Sequence, residues 1–244
     1  MKNILLSIAL TLTLLIIAGC GGGGGGVTTP TYTLTFAPGA NGTLTGAASQ
    51  TVSQGASSSA VTAVPATGYH FVNWTEGGNI AGTSAALTEN NVTANHSYTA
   101  NFAVTRTTAT LTINLTGTVP SNTGIAGAAF TVTLPADVTP ALTNGAVAAG
   151  VVTPSGTFAG GTKTTPIYTP ATTSAPGTLS FDVANTVTTG VTQVGEVATI
   201  TLQLANFTTP TAASFELSAV SVIDATVYNT ISGMGATVAS VTLQ

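Results

Sequence analysis

Threonine and apolar residues alternate along most of this chain, and that alternation restricts its fold more than any other feature. Tyr32, Leu34 and Phe36 fall on one parity, and Thr31, Thr33 and Thr35 fall on the other. A two-residue period sends apolar side chains to one face of a strand and polar ones to the opposite face. The same beat returns in Tyr98, Ala100, Phe102 and Val104, then in Leu111, Ile113 and Leu115, and in Phe130, Val132 and Leu134. It continues through Leu179, Phe181 and Val183, and through Ile200, Leu202 and Leu204. Gly and Pro separate these runs, and no 3.6-residue period intervenes, so the chain reads as all-β.

Finer expectations follow from the same pattern. Ser59 to Val64, Tyr69 to Trp74 and Ala85 to Leu87 are further strands, with turns at Gly77-Gly78 and Asn90-Asn91. Asn41-Gly42 predicts a tight hairpin after the first strand. Phe215, Leu217 and Ala219 give way to Val220 and Val222, a phase slip that predicts a β-bulge. Ala239, Val241 and Leu243 are in step at the end, and the Gly-, Thr- and Pro-rich section Val147 to Thr173 reads as irregular.

The amino terminus has a different character. Lys2 precedes an apolar run from Ile4 to Ala18, broken only by Ser7, Thr11 and Thr13, and Ala18-Gly19 places small residues before Cys20. This is the build of a cleaved export signal. It falls short of the roughly 20 apolar residues of a spanning helix. Gly21 to Gly26 and Val27 to Thr31 then form a flexible tether, whose eleven residues span roughly 18 Å as a Gly-rich coil.

Ile17-Ala18-Gly19-Cys20 resembles the lipobox of bacterial lipoproteins. The resemblance implies cleavage before Cys20 and a lipid on its sulfur, and Gly21 after the cysteine implies outer-membrane residence in a cell with two membranes. Two or more acyl chains, palmitate among them, make a lasting anchor where a single chain holds marginally. With its only cysteine acylated, the mature chain has no thiol for a disulfide, a metal or a nucleophile.

Residues 31 to 104 resemble the divergent internalin-type B-repeat family. The matching segments are Tyr32 to Phe36, Gly39 to Leu44, Val64 to Trp74 with its Gly68-Tyr69-x-Phe71-x-x-Trp74 core, and Tyr98 to Phe102. The family implies a small β-rich, grasp-like module that serves bacterial surface proteins as a stalk or interaction unit. Residues 108 to 244 are similar in strand order to cohesin and carbohydrate-binding-module sandwiches, which implies an immunoglobulin-like β-sandwich. The organisation expected is a signal peptide over 1–19, a lipidated tether over 20–31, a B-repeat-like domain over 32–104 and a cohesin-like sandwich over 105–244.

Charge limits the function. The chain carries three Lys and Arg against seven Asp and Glu, for a net charge of −4. Nucleic-acid binding requires clustered cations to neutralise phosphates, so that class is excluded. His70 and His96 lack the tight spacing of a metal site, and Asp137, Asp182 and Asp224 lie too far apart in sequence for a calcium loop. No Gly-x-Ser-x-Gly or other nucleophile context is present, and seven scattered acids are no signal of glycoside chemistry. The chain is therefore read as non-enzymatic, with no catalytic residue, cofactor or metal.

The candidate ligand-stacking residues are Tyr69 and Trp74, with Phe71 between them. Aromatic faces suit sugar rings, but Trp74 is opposite in parity to Tyr69 and Phe71, so one flat platform requires a bulge. Three functions compete: a protein-binding adhesion or scaffolding lipoprotein, a carbohydrate-binding surface lipoprotein, and a purely structural envelope component. The partners expected are the membrane, through the lipid on Cys20, and a surface protein or polysaccharide.

Overall fold

A computed structural model describes residues 28–244, and the export segment, Cys20 and the glycine run lie outside them. Among the described residues the chain is all-β, its only helical turns being two short 3-10 segments at Gly156–Phe158 and Ala212–Ser214.

The first eight strands are β1 (Thr31–Pro38), β2 (Gly42–Thr45), β3 (Ser49–Ser53), β4 (Val61–Pro65), β5 (Tyr69–Glu76), β6 (Asn79–Gly82), β7 (Ala86–Leu87) and β8 (His96–Val104). They form a five-stranded sheet in the order β3-β1-β8-β5-β6 and a three-stranded sheet in the order β2-β4-β7. The first and last strands lie side by side and parallel, Leu34 opposite His96 through Pro38 opposite Ala100, which is the grasp-like feature of the unit. Parallel neighbours need a long crossover, here supplied by the whole of residues 39–95.

Asn41-Gly42 is a turn, with Asn41 at φ 69, but it does not close a hairpin. β1 pairs with β3 and β8, whereas β2 crosses to the other sheet and pairs with β4. Gly42 is required there by space: a Cβ on it would stand 2.2 Å from the Phe102 ring. The two sheets close over a core in which Leu34, Val61, Trp74 and Ala100 are wholly buried and Phe36 and Tyr98 nearly so. Burial of Leu34, Val61 and Phe36 contributes about 1.5–3 kcal/mol each.

The remaining strands are β9 (Thr108–Thr116), β10 (Ile125–Leu134), β11 (Val138–Pro140), β12 (Leu142–Thr143), β13 (Ala146–Val147), β14 (Val152–Pro154), β15 (Thr162–Lys163), β16 (Ile167–Thr169), β17 (Gly177–Ala184), β18 (Glu196–Leu204), β19 (Glu216–Asp224) and β20 (Gly235–Leu243). Two sheets result. One runs β15-β17-β10-β19, with β16 also on β17; the other runs β11-β18-β9-β20, with β14 also on β18. Their inner faces carry the alternating residues expected from sequence. Leu111 and Ile113, Phe130 and Val132, Leu179 and Phe181, and Ile200 and Leu202 all lie in one buried cluster. Phe130 and Phe181 touch across β10 and β17 with centroids 5.4 Å apart.

Bulges account for the slips in the pattern. In β19, Ala219 and Val220 together oppose Phe130, and Ala219 takes φ 49, as the phase slip predicts. In β20 the extra residue is Ala239, which turns outward, so Val238 rather than Ala239 packs on the core beside Val241 and Leu243. The section from Val147 to Thr173 contributes more than an irregular loop. Val151, Val152 and Phe158 within it are buried in the sandwich core.

Residues 105 to 107 join the two sets of sheets, and their polar groups are tied down. The Thr105 amide donates to Gly68 O, those of Thr107 and Thr108 donate to Gln244 O, and Thr107 O accepts from the Leu204 amide. Arg106 Nη1 donates to Leu243 O at 3.2 Å. His70 reaches across the joint, its Nδ1 3.4 Å from Thr105 Oγ1 and its ring stacked on Phe207.

Candidate functional site

Cys20, the expected lipid attachment point, lies outside the described residues. The pair Tyr69 and Trp74 does not form an exposed platform. A bulge at Val72 in β5 does restore common parity to Phe71 and Trp74, but the face it assigns them to is the interior. Trp74 is wholly buried, edge-on to Phe36 at 6.0 Å and 6.1 Å from Phe71, with its indole N–H donating to Ala85 O at 3.3 Å. Its ring face is unavailable to a ligand because the core already occupies it. Tyr69 is half-buried, opposite Val104 of β8.

The two histidines have separate structural partners. His96 Nδ1 is 2.7 Å from Glu76 Oε1, and its ring stacks on Tyr98 at 5.8 Å. The Tyr98 hydroxyl donates to Glu89 Oε2 at 2.8 Å, and burial together with that carboxylate pushes its pKa well above the ordinary tyrosine range. The three aspartates stay apart. Asp137 accepts from Asn206 Nδ2 at 2.9 Å, Asp224 braces a turn, and Asp182 points outward from β17. Among the described residues no three His, Cys, Asp or Glu side chains converge as a metal site would require. No helix among them is long and apolar enough to cross a membrane.

A groove of about 430 Å³ crosses the outer face of β17, β10 and β19. Strand register builds it. Asp182, Ala129 and Ser221 form one row across the three strands, and Ala184, Gly127 and Ile223 form the next. Their neighbours Ala128, Val183 and Val222 point into the core, so both rows belong to the outer face, with Gly127 buried in the floor between Ala184 and Ile223. With strands about 4.8 Å apart, Asp182 and Ser221 stand roughly 10 Å from each other across a floor of Ala and Gly.

Tyr228 forms the wall of this groove and is 75% exposed. It belongs to Asp224-Ala225-Thr226-Val227-Tyr228-Asn229, a turn held from within. Asp224 Oδ1 accepts from the Thr226 hydroxyl and amide at 2.6 Å each and from the Val227 amide at 2.9 Å. The Thr226 hydroxyl, then the two amides, hold the Asp224 carboxyl below its ordinary pKa. The Tyr228 amide donates back to Asp224 O, and the Asp224 amide to Asn229 O. Tyr228 itself sits at φ 58, a left-handed conformation costing a bulky residue about 1–2 kcal/mol. Strain of this kind persists where the surroundings enforce it and gathers at ligand-contacting positions.

Tyr228 was not among the candidate aromatics that the sequence singles out. The signal available was its place beside Val227, where the turn formers Thr226 and Asn229 bracket two large apolar or aromatic residues with no strand for them to join.

Residues 32–106 match the model of the family described as a divergent InlB B-repeat domain. Neither curated proteins nor solved structures yielded a match to the chain. The family match spans β1 to β8 and ends inside the joint at Arg106.

Proposed function

We propose that this protein is a non-catalytic, membrane-anchored surface lipoprotein that works as a protein-binding adhesion or scaffolding module. The lipid on Cys20 confines it to the cell envelope, at the outer membrane of a cell with two membranes. Gly21 to Gly26 let it swing, a B-repeat-like domain over 32–104 lifts it from the lipid, and a cohesin-like sandwich over 105–244 presents the binding surface.

The observation that carries this reading is the B-repeat match over residues 32–106, a family whose modules serve surface proteins. Its aromatics support the stalk role: Phe36, Trp74 and Tyr98 build the core rather than a site. The test is affinity capture from envelope extracts with the full-length protein, compared with capture by a chain lacking residues 105–244. The reading expects a defined partner protein with the full chain only. Recovery of no protein by either would overturn it.

Carbohydrate binding is the second reading, supported by the exposed ring of Tyr228 on the sandwich. A glycan array with the full chain separates it from the first.

A further inference from the structure

We propose that the groove beside Tyr228 seats a lysine- or arginine-bearing extended segment of the partner protein. The cationic head lies between the Tyr228 ring and the Asp182 carboxylate, and its methylene stem rests on Ala129 and Gly127. This rests on the protein-binding reading above and gives it a site and a partner chemistry.

Charge is the first argument. The chain is acidic, with a net charge of −4. Both cations among the described residues are committed to backbone carbonyls: Arg106 donates to Leu243 O, and Lys163 Nζ donates to Val152 O in the opposite sheet. Four carboxylates have partners, namely Glu76 with His96, Glu89 with Tyr98, Asp137 with Asn206 and Asp224 with its own turn. The carboxylates of Asp182, Glu196 and Glu216 have no hydrogen bond or ion pair from the described residues, the Thr157 hydroxyl reaching only the backbone oxygen of Glu196. Of these three, Asp182 shares a groove with an exposed aromatic ring. Lys163 on the adjacent β15 lies beside Asp182, but its ammonium is turned to Val152 O and forms no ion pair with that carboxylate, so a basic partner supplies the complement.

Shape is the second argument. A cation is stabilised over an aromatic face, more so when a carboxylate stands on its other side. The small residues of the two rows leave a flat apolar floor on which long cationic side chains lay their stems while keeping the head in a polar setting. The turn braced by Asp224 fixes the backbone that carries the ring, so less order is lost on binding. A neutral saccharide fits less well. It needs donors as well as acceptors, and the side-chain donors lining the groove are the hydroxyls of Ser221, already 3.4 Å from Thr230 Oγ1, and Tyr228. An anion meets Asp182 with no cation in the lining.

The test is calorimetric titration of the full-length protein in non-ionic detergent with an octalysine peptide, with octaglutamate and maltohexaose as comparisons. Octalysine is expected to bind, less tightly as salt rises from about 0.05 to about 0.5 M. Tyr228→Ala and Asp182→Asn should each weaken it by roughly tenfold, whereas Glu216→Gln leaves it within about twofold. Circular dichroism checks that each variant keeps its β spectrum. Octalysine binding unchanged by both groove substitutions overturns the site, as does equal loss on Glu216→Gln or no binding at all. Tyr228-dependent binding of maltohexaose in place of octalysine makes the groove a glycan site and overturns the proposal. Capture of the partner from envelope extracts by the Tyr228→Ala, Asp182→Asn double variant, undiminished, rejects this groove while leaving the protein-binding function standing.

Discussion

The imidazole of His70, from β5 in the first set of sheets, lies face to face on the ring of Phe207, from the loop after β18 in the second, with centroids 3.9 Å apart and planes within 9°. Phe207 adopts φ 59 to make this contact. Together with the hydrogen bonds of Thr105, Arg106 and Thr107, the stack makes the joint a splint. Phe207→Ala is expected to weaken the coupling of the two units by about 0.5–1.5 kcal/mol. Small-angle scattering should show a broader distribution of distances within the particle and a larger maximum dimension, with the β spectrum unchanged. Identical scattering from wild type and variant would show that the hydrogen bonds alone hold the joint.

Trp74 is the chain's single tryptophan, and it reports on the first core alone. Native emission should be blue-shifted and should move to the red as that unit unfolds. Trp74→Phe, which keeps an aromatic ring, smaller than the indole and without its bond to Ala85 O, is expected to lower stability less than Trp74→Ala. Removal of the whole ring costs about 3–5 kcal/mol, measured by urea denaturation.

Acid should loosen the Tyr228 turn. The Asp224 carboxyl is held below its ordinary pKa by the Thr226 hydroxyl and the amides of Val227 and Thr226. A carboxyl depressed in the folded state adds stability that is complete above its unfolded pKa, about 4, and is lost as pH falls through the lower folded value. Asp224→Ala should therefore unfold more readily than wild type near neutrality and lose less stability between about pH 5 and pH 2. Thermal melts of both across that range check the difference.

The bulge in β19 offers a gain. Ala219 stands at φ 49, where an L side chain is strained and glycine is not. Ala219→Gly is expected to be neutral or to stabilise by up to about 1 kcal/mol, whereas the same change at the extended, core-facing Ala128 destabilises. Chemical denaturation of the two variants distinguishes them.

The core of the sandwich was legible in the sequence because Leu111, Phe130, Leu179 and Ile200 alternate with polar residues strictly enough to leave one reading of each strand. The slip after Ala219 was legible for the same reason. Parity failed where a bulge intervenes without an apolar marker. The extra residue Val72 is itself apolar and exposed, so nothing in the sequence tells whether Trp74 turns in or out. Asn41-Gly42 announced a turn, but the strand leaving it pairs in another sheet, a choice made by tertiary contacts with Ala63 and Val64. Phe158 enters the core from a Gly- and Thr-rich stretch with no period at all. The site was least legible. Asp182 and Tyr228 lie 46 residues apart, and only the strand order β17-β10-β19 brings them to one groove.

The proposed tethering and presentation both depend on a lipid at Cys20 that fastens the chain to a membrane. Cells expressing the protein are fed radiolabelled palmitate, and the immunoprecipitated chain is compared with Cys20→Ser. Label is expected in the wild type and none in the variant, which should accumulate as an uncut, slower-migrating precursor. Absence of label from the wild type, with both forms cut to the same size and released from the membrane, would contradict lipid anchoring at Cys20.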